Sequence, residues 1–285
     1  MKNNYWYCLS KFIYSLLFHF AYYLCLYTIL SMRKEVKIFT ILGCIFVANV
    51  ILAEFIGVKI FSLMASLGRE DWSYRLFGQP MSLQYTAGVL IWPVVFVLTD
   101  IINDYYGKQG VKFLTYLAVG ISIYAFLVIN LAIWLEPAEW WRNVNQANGI
   151  PDFNTAYRLI FGQGNNIIIG SLTAFVIGQL IDVTIFQKLK KTQKGGQLWV
   201  RATVSTLVSQ LIDSFVVIYI AFYLGQDWPL SQVFSVSLNN YIYKGLVAIL
   251  MIPVLHLIHL AIENYLGKSL AQQLRDGALK NKLDF

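Results

Sequence analysis

Residues 200–224 read VRATVSTLVSQLIDSFVVIYIAFYL. The stretch is long enough to cross a bilayer, which takes roughly 20 predominantly apolar residues in a helix. Yet it carries an aspartate, Asp213, near its middle. Arg201, Ser205, Ser209 and Asp213 repeat every four residues, and Ala202, Thr206, Gln210 and Ser214 form the row beside them. At about 3.6 residues per turn the two rows share one face, small and polar along its length. Serines and threonines of this kind suit the packing of one membrane helix on another. Packing does not account for Gln210 with Asp213, three residues apart. Carboxylates at membrane depth are costly and face a cavity or a partner. The stretch therefore predicts a bundle of membrane helices that encloses a polar site.

The rest of the chain agrees. Of 285 residues 58% are hydrophobic and only 13% charged, against about 25% charged in a soluble domain, and the mean hydropathy is +0.58. The expected fold class is all-α, a polytopic membrane helix bundle. Six core transmembrane helices are expected near residues 38–64, 84–106, 111–135, 166–186, 200–224 and 233–260, with Pro93 and Pro253 marking kinks in the second and sixth. The net charge of +7 is no nucleic-acid signal, because the basic residues gather at helix ends and not along one soluble face. The partner surface is the lipid bilayer, with no nucleic acid. Cys8, Cys25 and Cys44 fall in apolar segments without metal spacing and read as small buried residues. No metal and no cofactor is expected. The 18 tyrosines and eight tryptophans suit interfacial belts and rings lining a site.

The loops orient the bundle. Arg33, Lys34 and Lys37 precede the first helix, Lys108 and Lys112 follow the second, and Lys188, Lys190, Lys191, Lys194 and Arg201 separate the fourth and fifth. The tail, 268–285, adds Lys268, Arg275, Lys280 and Lys282. In the alternate loops Glu136, Glu139 and Asp152 outnumber Arg142 and Arg158, and Asp227 stands alone. This alternation predicts that both ends of the six-helix core (32–267) are cytoplasmic. The loop 136–164, with Trp140 and Trp141, caps the opposite mouth. The tail is read as a short amphipathic helix with Leu270, Leu274 and Leu279 on one side. Residues 1–31 form a hydrophobic extension interrupted by Lys11 and His19. It reads as a seventh span, an uncleaved signal-like segment, or an extension not made in the cell, with Met32 before Arg33 and Lys34 as an alternative start.

Other polar residues frame the site. In the fourth helix Gly170, Ala174, Gly178 and Asp182 form a small-residue ladder that lets a neighbour approach and leads to the carboxylate. The tetrapeptide Gln-Leu-Ile-Asp occurs twice, at 179–182 and 210–213. It would run in opposite directions in helices four and five, as inverted elements of transporters do. Helix two brings Asp100 and Asn103, with Asp104 read as a solvated helix end and Trp92 two turns earlier. Glu54 lies deep in helix one and needs a partner. Lys244 in helix six either snorkels to the surface or neutralises an acid. Arg201 is read as balancing a charge, and His256 and His259 as interfacial. The chain contains no G-x-x-x-x-G-K-[ST] loop, no H-E-x-x-H and no serine–histidine–aspartate set, so it is not expected to be an enzyme.

Carboxylate beside amide, with hydroxyls and aromatic rings nearby, suits a flat polar heterocycle. A guanine-type edge offers two adjacent N–H donors to a carboxylate, as an arginine fork does. Its carbonyl takes a donor from Gln or Asn, and its faces stack on rings. The same groups suit a proton or a sodium ion.

Three segments carry a resemblance. Thr99-Asp-Ile-Ile-Asn-Asp-Tyr-Tyr-Gly-Lys, Gly178-Gln-Leu-Ile-Asp-Val-Thr-Ile-Phe and Arg201-Ala-Thr-Val-Ser-Thr-Leu-Val-Ser-Gln-Leu-Ile-Asp-Ser, in that order, resemble the queuosine precursor transporters, the vitamin uptake transporter family of bacterial inner membranes. The resemblance covers 33–267. It implies import of 7-deazaguanines, such as 7-cyano-7-deazaguanine and 7-aminomethyl-7-deazaguanine, for salvage of the tRNA nucleoside queuosine. The residues expected at the substrate are Asp182, Asp213, Gln179 and Gln210, then Asp100 and Asn103. The alternative expectation is a substrate-binding subunit of a vitamin or nucleobase importer energised by a separate ATPase.

Overall fold

In a computed structural model of the chain, the structure describes residues 32–162, 165–192 and 197–279. The extension 1–31, Lys194, Lys280 and Lys282 lie outside the described residues. The described residues fall into two compact units, divided after Ile41. The described part of the first opens helix α1 (Lys34–Ile56). There Arg33 Nε lies 3.4 Å from Glu35 Oε1, and the Glu35 carboxylate sits in the first turn, where the helix dipole favours it. The remaining elements belong to the second unit.

Helix α1 has 23 apolar-rich residues without proline, about 35 Å of rise. It stops at Ile56 and does not continue to 64 as expected. Beyond Gly57 the chain enters β1 (Ile60–Ser62), a single turn of helix α2 (Leu63–Ser66), β2 (Ser73–Leu76), β3 (Gln79–Ser82) and β4 (Gln84–Thr86). β1 pairs antiparallel with β4, with Phe61 opposite Tyr85, and β2 pairs with β3, with Tyr74 opposite Met81. Phe77 and Gly78, at φ 49° and 79°, make the two-residue turn between β2 and β3. Positive φ at both positions matches the twist of the flanking strands. Residues 60–62 thus pair across strands, and 63–64 enter the short α2, instead of lengthening α1.

A 3₁₀ turn, Ala87–Leu90, leads into α3 (Trp92–Trp134). Gly88 presses on α1, since a Cβ there would lie 2.8 Å from the Ala53 carbonyl oxygen. Pro93 lies in the first turn of α3, where the missing N–H costs nothing. It starts the helix and does not kink it. With 43 residues, α3 would be about 65 Å long if straight, twice the hydrocarbon thickness. It is broken at Gly107 (φ 69°, ψ −173°) into limbs 92–106 and 108–134. The expected second and third spans therefore meet without an intervening loop.

The expected mouth loop carries α4 (Glu139–Arg142), a 3₁₀ turn and α5 (Phe153–Phe161). Asp152 caps α5, accepting from Asn154 N and Thr155 Oγ1, each at 2.9 Å. Then come α6 (Asn165–Thr192), α7 (Leu198–Ile218) continuing as a π-helical turn over Tyr219–Leu224, α8 (Leu230–Leu250), α9 (Ile252–Leu266) and α10 (Lys268–Leu279). The sixth expected span is broken at Met251, two residues before Pro253, whose ring and missing N–H disrupt a continuous helix. Among the described residues five helices are long and apolar enough to cross a membrane, and α3 is one of them. The protein is a polytopic helical membrane protein.

Gly107, Lys190, Arg201 and α10 mark one end of the second unit, called here the basic end. The β pairs mark the other. There Tyr74 Oη donates to Asn239 Oδ1 at 2.6 Å, Ser235 Oγ donates to the Leu76 carbonyl at 3.1 Å, and Phe77 meets Phe234 edge-on at 5.1 Å. The strands thus cover α8.

Candidate substrate site

The small-residue ladder of α6 fixes the site. Gly170, Ala174, Gly178 and Asp182 are all buried. A Cβ on Gly170 would lie 3.2 Å from the Val217 carbonyl oxygen, and one on Gly178 would lie 3.4 Å from Asp213 Cβ. Backbones of α6 and α7 approach closely only because these positions lack side chains. On α7 the buried residues are Arg201, Ala202, Ser205, Thr206, Ser209, Gln210, Ser214 and Ile218, the two rows read from the sequence except for Asp213, which is half-buried, with Ile218 added.

This crossing delivers Asp182 to the hydroxyls of α7. Its Oδ1 accepts from Thr206 Oγ1 and Ser209 Oγ, both at 3.4 Å. These are long for O–H···O bonds, which centre near 2.7–2.8 Å. Ser209 Oγ also reaches the Thr206 carbonyl at 3.0 Å, so its single proton is shared. Asp182 is 5% exposed and weakly satisfied. Asp100, from α3, is also 5% exposed, and its Oδ1 has no hydrogen-bond partner. It lines a cavity of about 20 Å³ with Phe96, Thr203, Thr206, Ala248 and Leu255. Such a space holds one or two waters and not a bicyclic base. Thr206 is common to both carboxylates. Gln179 accepts from Thr99 Oγ1 at 3.2 Å, whereas Gln210 Oε1 is buried without a partner.

The other candidates are engaged within the protein. Asp213 Oδ2 lies 2.5 Å from Lys244 Nζ, so Lys244 neutralises an acid. Asn103 accepts from Gln187 Nε2 at 2.6 Å and donates to the Val183 carbonyl at 3.4 Å, tying α3 to α6. Glu54 finds its partner in Ser171 Oγ at 2.6 Å. Asp104 is no solvated helix end. It is 0% exposed, and its Oδ1 lies 2.8 Å from Arg201 NH2 and 3.0 Å from Lys190 Nζ. Two cations offset its burial, and Arg201 balances a charge as expected. The aspartate and its partners are far apart in sequence, and the lysines read as a loop flank.

At the basic end this triad forms the floor of a vestibule of about 560 Å³, lined also by Lys191, His259, Gln272, Arg275 and Asp276. Helix α10 walls it. Lys190 Nζ donates to the Arg275 carbonyl at 3.2 Å, and Arg275 NH2 lies 3.1 Å from Glu263 Oε1. A Cβ on Gly107 would lie 2.7 Å from the Ala278 carbonyl oxygen. His259 Nδ1 lies 3.1 Å from Tyr105 Oη. Towards the opposite end stand the rings. Trp92 packs on Phe175 at 5.5 Å, and Tyr85 stacks on Tyr243 at 4.2 Å. Burial pushes the Tyr85 phenol up to about 12, so it is neutral at physiological pH. Trp92, Phe96, Tyr243 and Lys244 share a second cavity of about 10 Å³.

Residues 86–258, which include all six candidate residues, match the family described as "Putative vitamin uptake transporter". The chain belongs to that family. It is a membrane transport protein and not an enzyme. Among its relatives are the "Probable queuosine precursor transporter" of Bacillus subtilis (strain 168), 28% identical over 180 residues covering 63% of this chain and 72% of that one, and the "Queuosine precursor transporter" of Escherichia coli (strain K12), 24% identical over 196 residues covering 68% and 80%. The "Probable queuosine precursor transporter" of Haemophilus influenzae is 24% identical over 171 residues, 60% and 66% of the two chains. No solved structure matches the chain.

Proposed function

We propose that this protein imports queuosine precursors, 7-cyano-7-deazaguanine and 7-aminomethyl-7-deazaguanine, across a bacterial inner membrane for tRNA queuosine salvage, with both ends of the six-helix core cytoplasmic. The names of the relatives support the substrate class. The observation that carries the reading is the pair Asp100 and Asp182, buried without a cation in hydrogen-bond contact among the described residues. A carboxylate in such a place accepts the two adjacent N–H groups of a guanine-type edge. Gln179 and Gln210 stand beside the acids with amides to meet the ring carbonyl, and Gln210 Oε1 already lacks a partner. Asp213, held by Lys244, sets the local charge, and Asn103 holds α3 on α6. Trp92 and Tyr243 supply faces for stacking, worth about 1–3 kcal/mol per base.

The cavity beside Asp100 is too small for the base, so α7 and α8 separate to admit it. The Asp104–Lys190–Arg201 triad then closes the path to the cytoplasmic vestibule until the opposite mouth has shut. The test uses cells that cannot make deazaguanines but keep the tRNA-modifying enzymes. Supplied with nanomolar 7-cyano-7-deazaguanine, they regain queuosine in tRNA when this chain is expressed. No queuosine, with the protein confirmed in the membrane, contradicts the reading. Queuosine that appears only with a co-purifying ATPase favours the binding-subunit alternative.

A further inference from the structure

We propose that Asp100 and Asp182 together bind one proton and make this transporter a proton symporter. The inference rests on the substrate reading only for its transport arm. Asp100 Oδ1 is buried, has no partner and faces a water-sized cavity. Asp182 stands across Thr206 with two long hydroxyl contacts. Asp104 stands one turn from Asp100 on α3, bridged to Arg201 of α7. Two carboxylates that share a site do not both ionise. One proton on the pair relieves their repulsion, and the hydroxyls of Thr206 and Ser209 hold the single charge that remains.

The surroundings point to a proton over a metal cation. The cavity offers one carboxylate and the hydroxyls of Thr203 and Thr206, and its other walls are apolar: Pro93, Phe96, Val97, Ala248, Met251 and Leu255 among them. A bound cation needs several more oxygens. Every charged group near the pair is committed elsewhere. On α3 and α7, Asp104 is bridged to Arg201, and Lys190 of α6 joins them. Asp213 of α7 is bridged to Lys244 of α8, Glu54 of α1 bonds Ser171, and His259 of α9 bonds Tyr105. The ionised member of the pair accepts the substrate N–H edge while the other keeps the proton. Arg201 and Lys190, on the vestibule side, favour ionisation and so proton release to that side.

The test has two arms on full-length protein in liposomes. Infrared difference spectra between H2O and D2O at neutral pH should contain the carbonyl stretch of a protonated carboxyl group. In a Glu54→Gln background, which removes the other buried carboxyl bonded to a hydroxyl, that band should persist, and it should vanish on adding Asp100→Asn and equally on adding Asp182→Asn, because removing either acid lets the other ionise. The absence of any such band, or its survival in both aspartate variants, overturns the proposal whatever the substrate. In the second arm, labelled 7-cyano-7-deazaguanine should accumulate up to about tenfold per pH unit of inward proton gradient, with external alkalinisation. Exchange that proceeds while accumulation ignores the pH gradient, or follows sodium instead, overturns proton coupling and leaves the substrate reading standing. Neither exchange nor accumulation, with the infrared band intact, counts against the deazaguanine and upholds the proton site.

Discussion

Lys244 and Asp213 are 31 positions apart and 2.5 Å apart in space. Breaking a largely buried pair leaves one charge uncompensated, at a cost of about 3 kcal/mol. Lys244→Met should therefore lower thermal stability in detergent, and adding Asp213→Asn should recover most of the loss. A double variant no more stable than Lys244→Met would show that the pair is not the reason. Sequence spacing revealed the inward face of α7 and the ladder of α6, because period and residue size are local properties. It did not reveal Asp104, whose partners Lys190 and Arg201 lie 86 and 97 residues away. Those cations also satisfy the pattern of a basic cytoplasmic flank, which hid their structural use. For Lys244 the sequence left two readings open, since whether a lysine snorkels or pairs depends on what faces it.

Among the elements, α10 has the most exacting contact. Gly107 adopts φ 69° and lies under the Ala278 carbonyl, so any side chain there strains the backbone and pushes the helix off. Gly107→Val should expose Arg275 to trypsin in limited proteolysis; an unchanged cleavage pattern would contradict this docking. The amphipathic tail helix was legible from Leu270, Leu274 and Leu279. The strands between Ile60 and Thr86 were not, because their turn is Phe77-Gly78 without the usual asparagine or aspartate and the first strand continues an apolar run. Helix α5 offers a pH test. Bonds from Thr155 and Asn154 hold the Asp152 carboxyl below the usual carboxylate range. A depressed folded value means the cap is fully effective at neutral pH and is lost only as pH falls below about 3.9, the ordinary value, through the depressed one. Protection of α5 amides relative to their intrinsic exchange rates should fall in that acid window and be flat from pH 5 to 8. Loss of protection already near neutrality would contradict the cap.

For the whole molecule, the hydropathy of the sequence predicted a polytopic helical bundle, since burying backbone in hydrocarbon leaves helices as the solution, while five described helices qualify as crossings against the six expected. It misjudged how crossings join, because a single glycine at 107 replaces a loop. The orientation is testable in a variant with its three cysteines replaced. Single cysteines at Glu70 and Glu139 should react with an impermeant maleimide on intact cells, and cysteines at Lys191 and Lys268 only after permeabilisation. The reverse labelling would invert the transporter.

The central claim is that the buried carboxylates read the N–H edge of a deazaguanine. Calorimetric binding of 7-cyano-7-deazaguanine to purified protein, to Asp182→Asn and to Asp100→Asn tests it most directly, with the analogue lacking the 2-amino group as comparison. A charge-assisted hydrogen bond is worth about 1.5–3 kcal/mol, so loss of the acceptor or of the amino group should weaken binding by about tenfold to a hundredfold. The two losses should not add, because they remove the same contact. Binding that is unchanged in both aspartate variants and for the analogue would contradict the account.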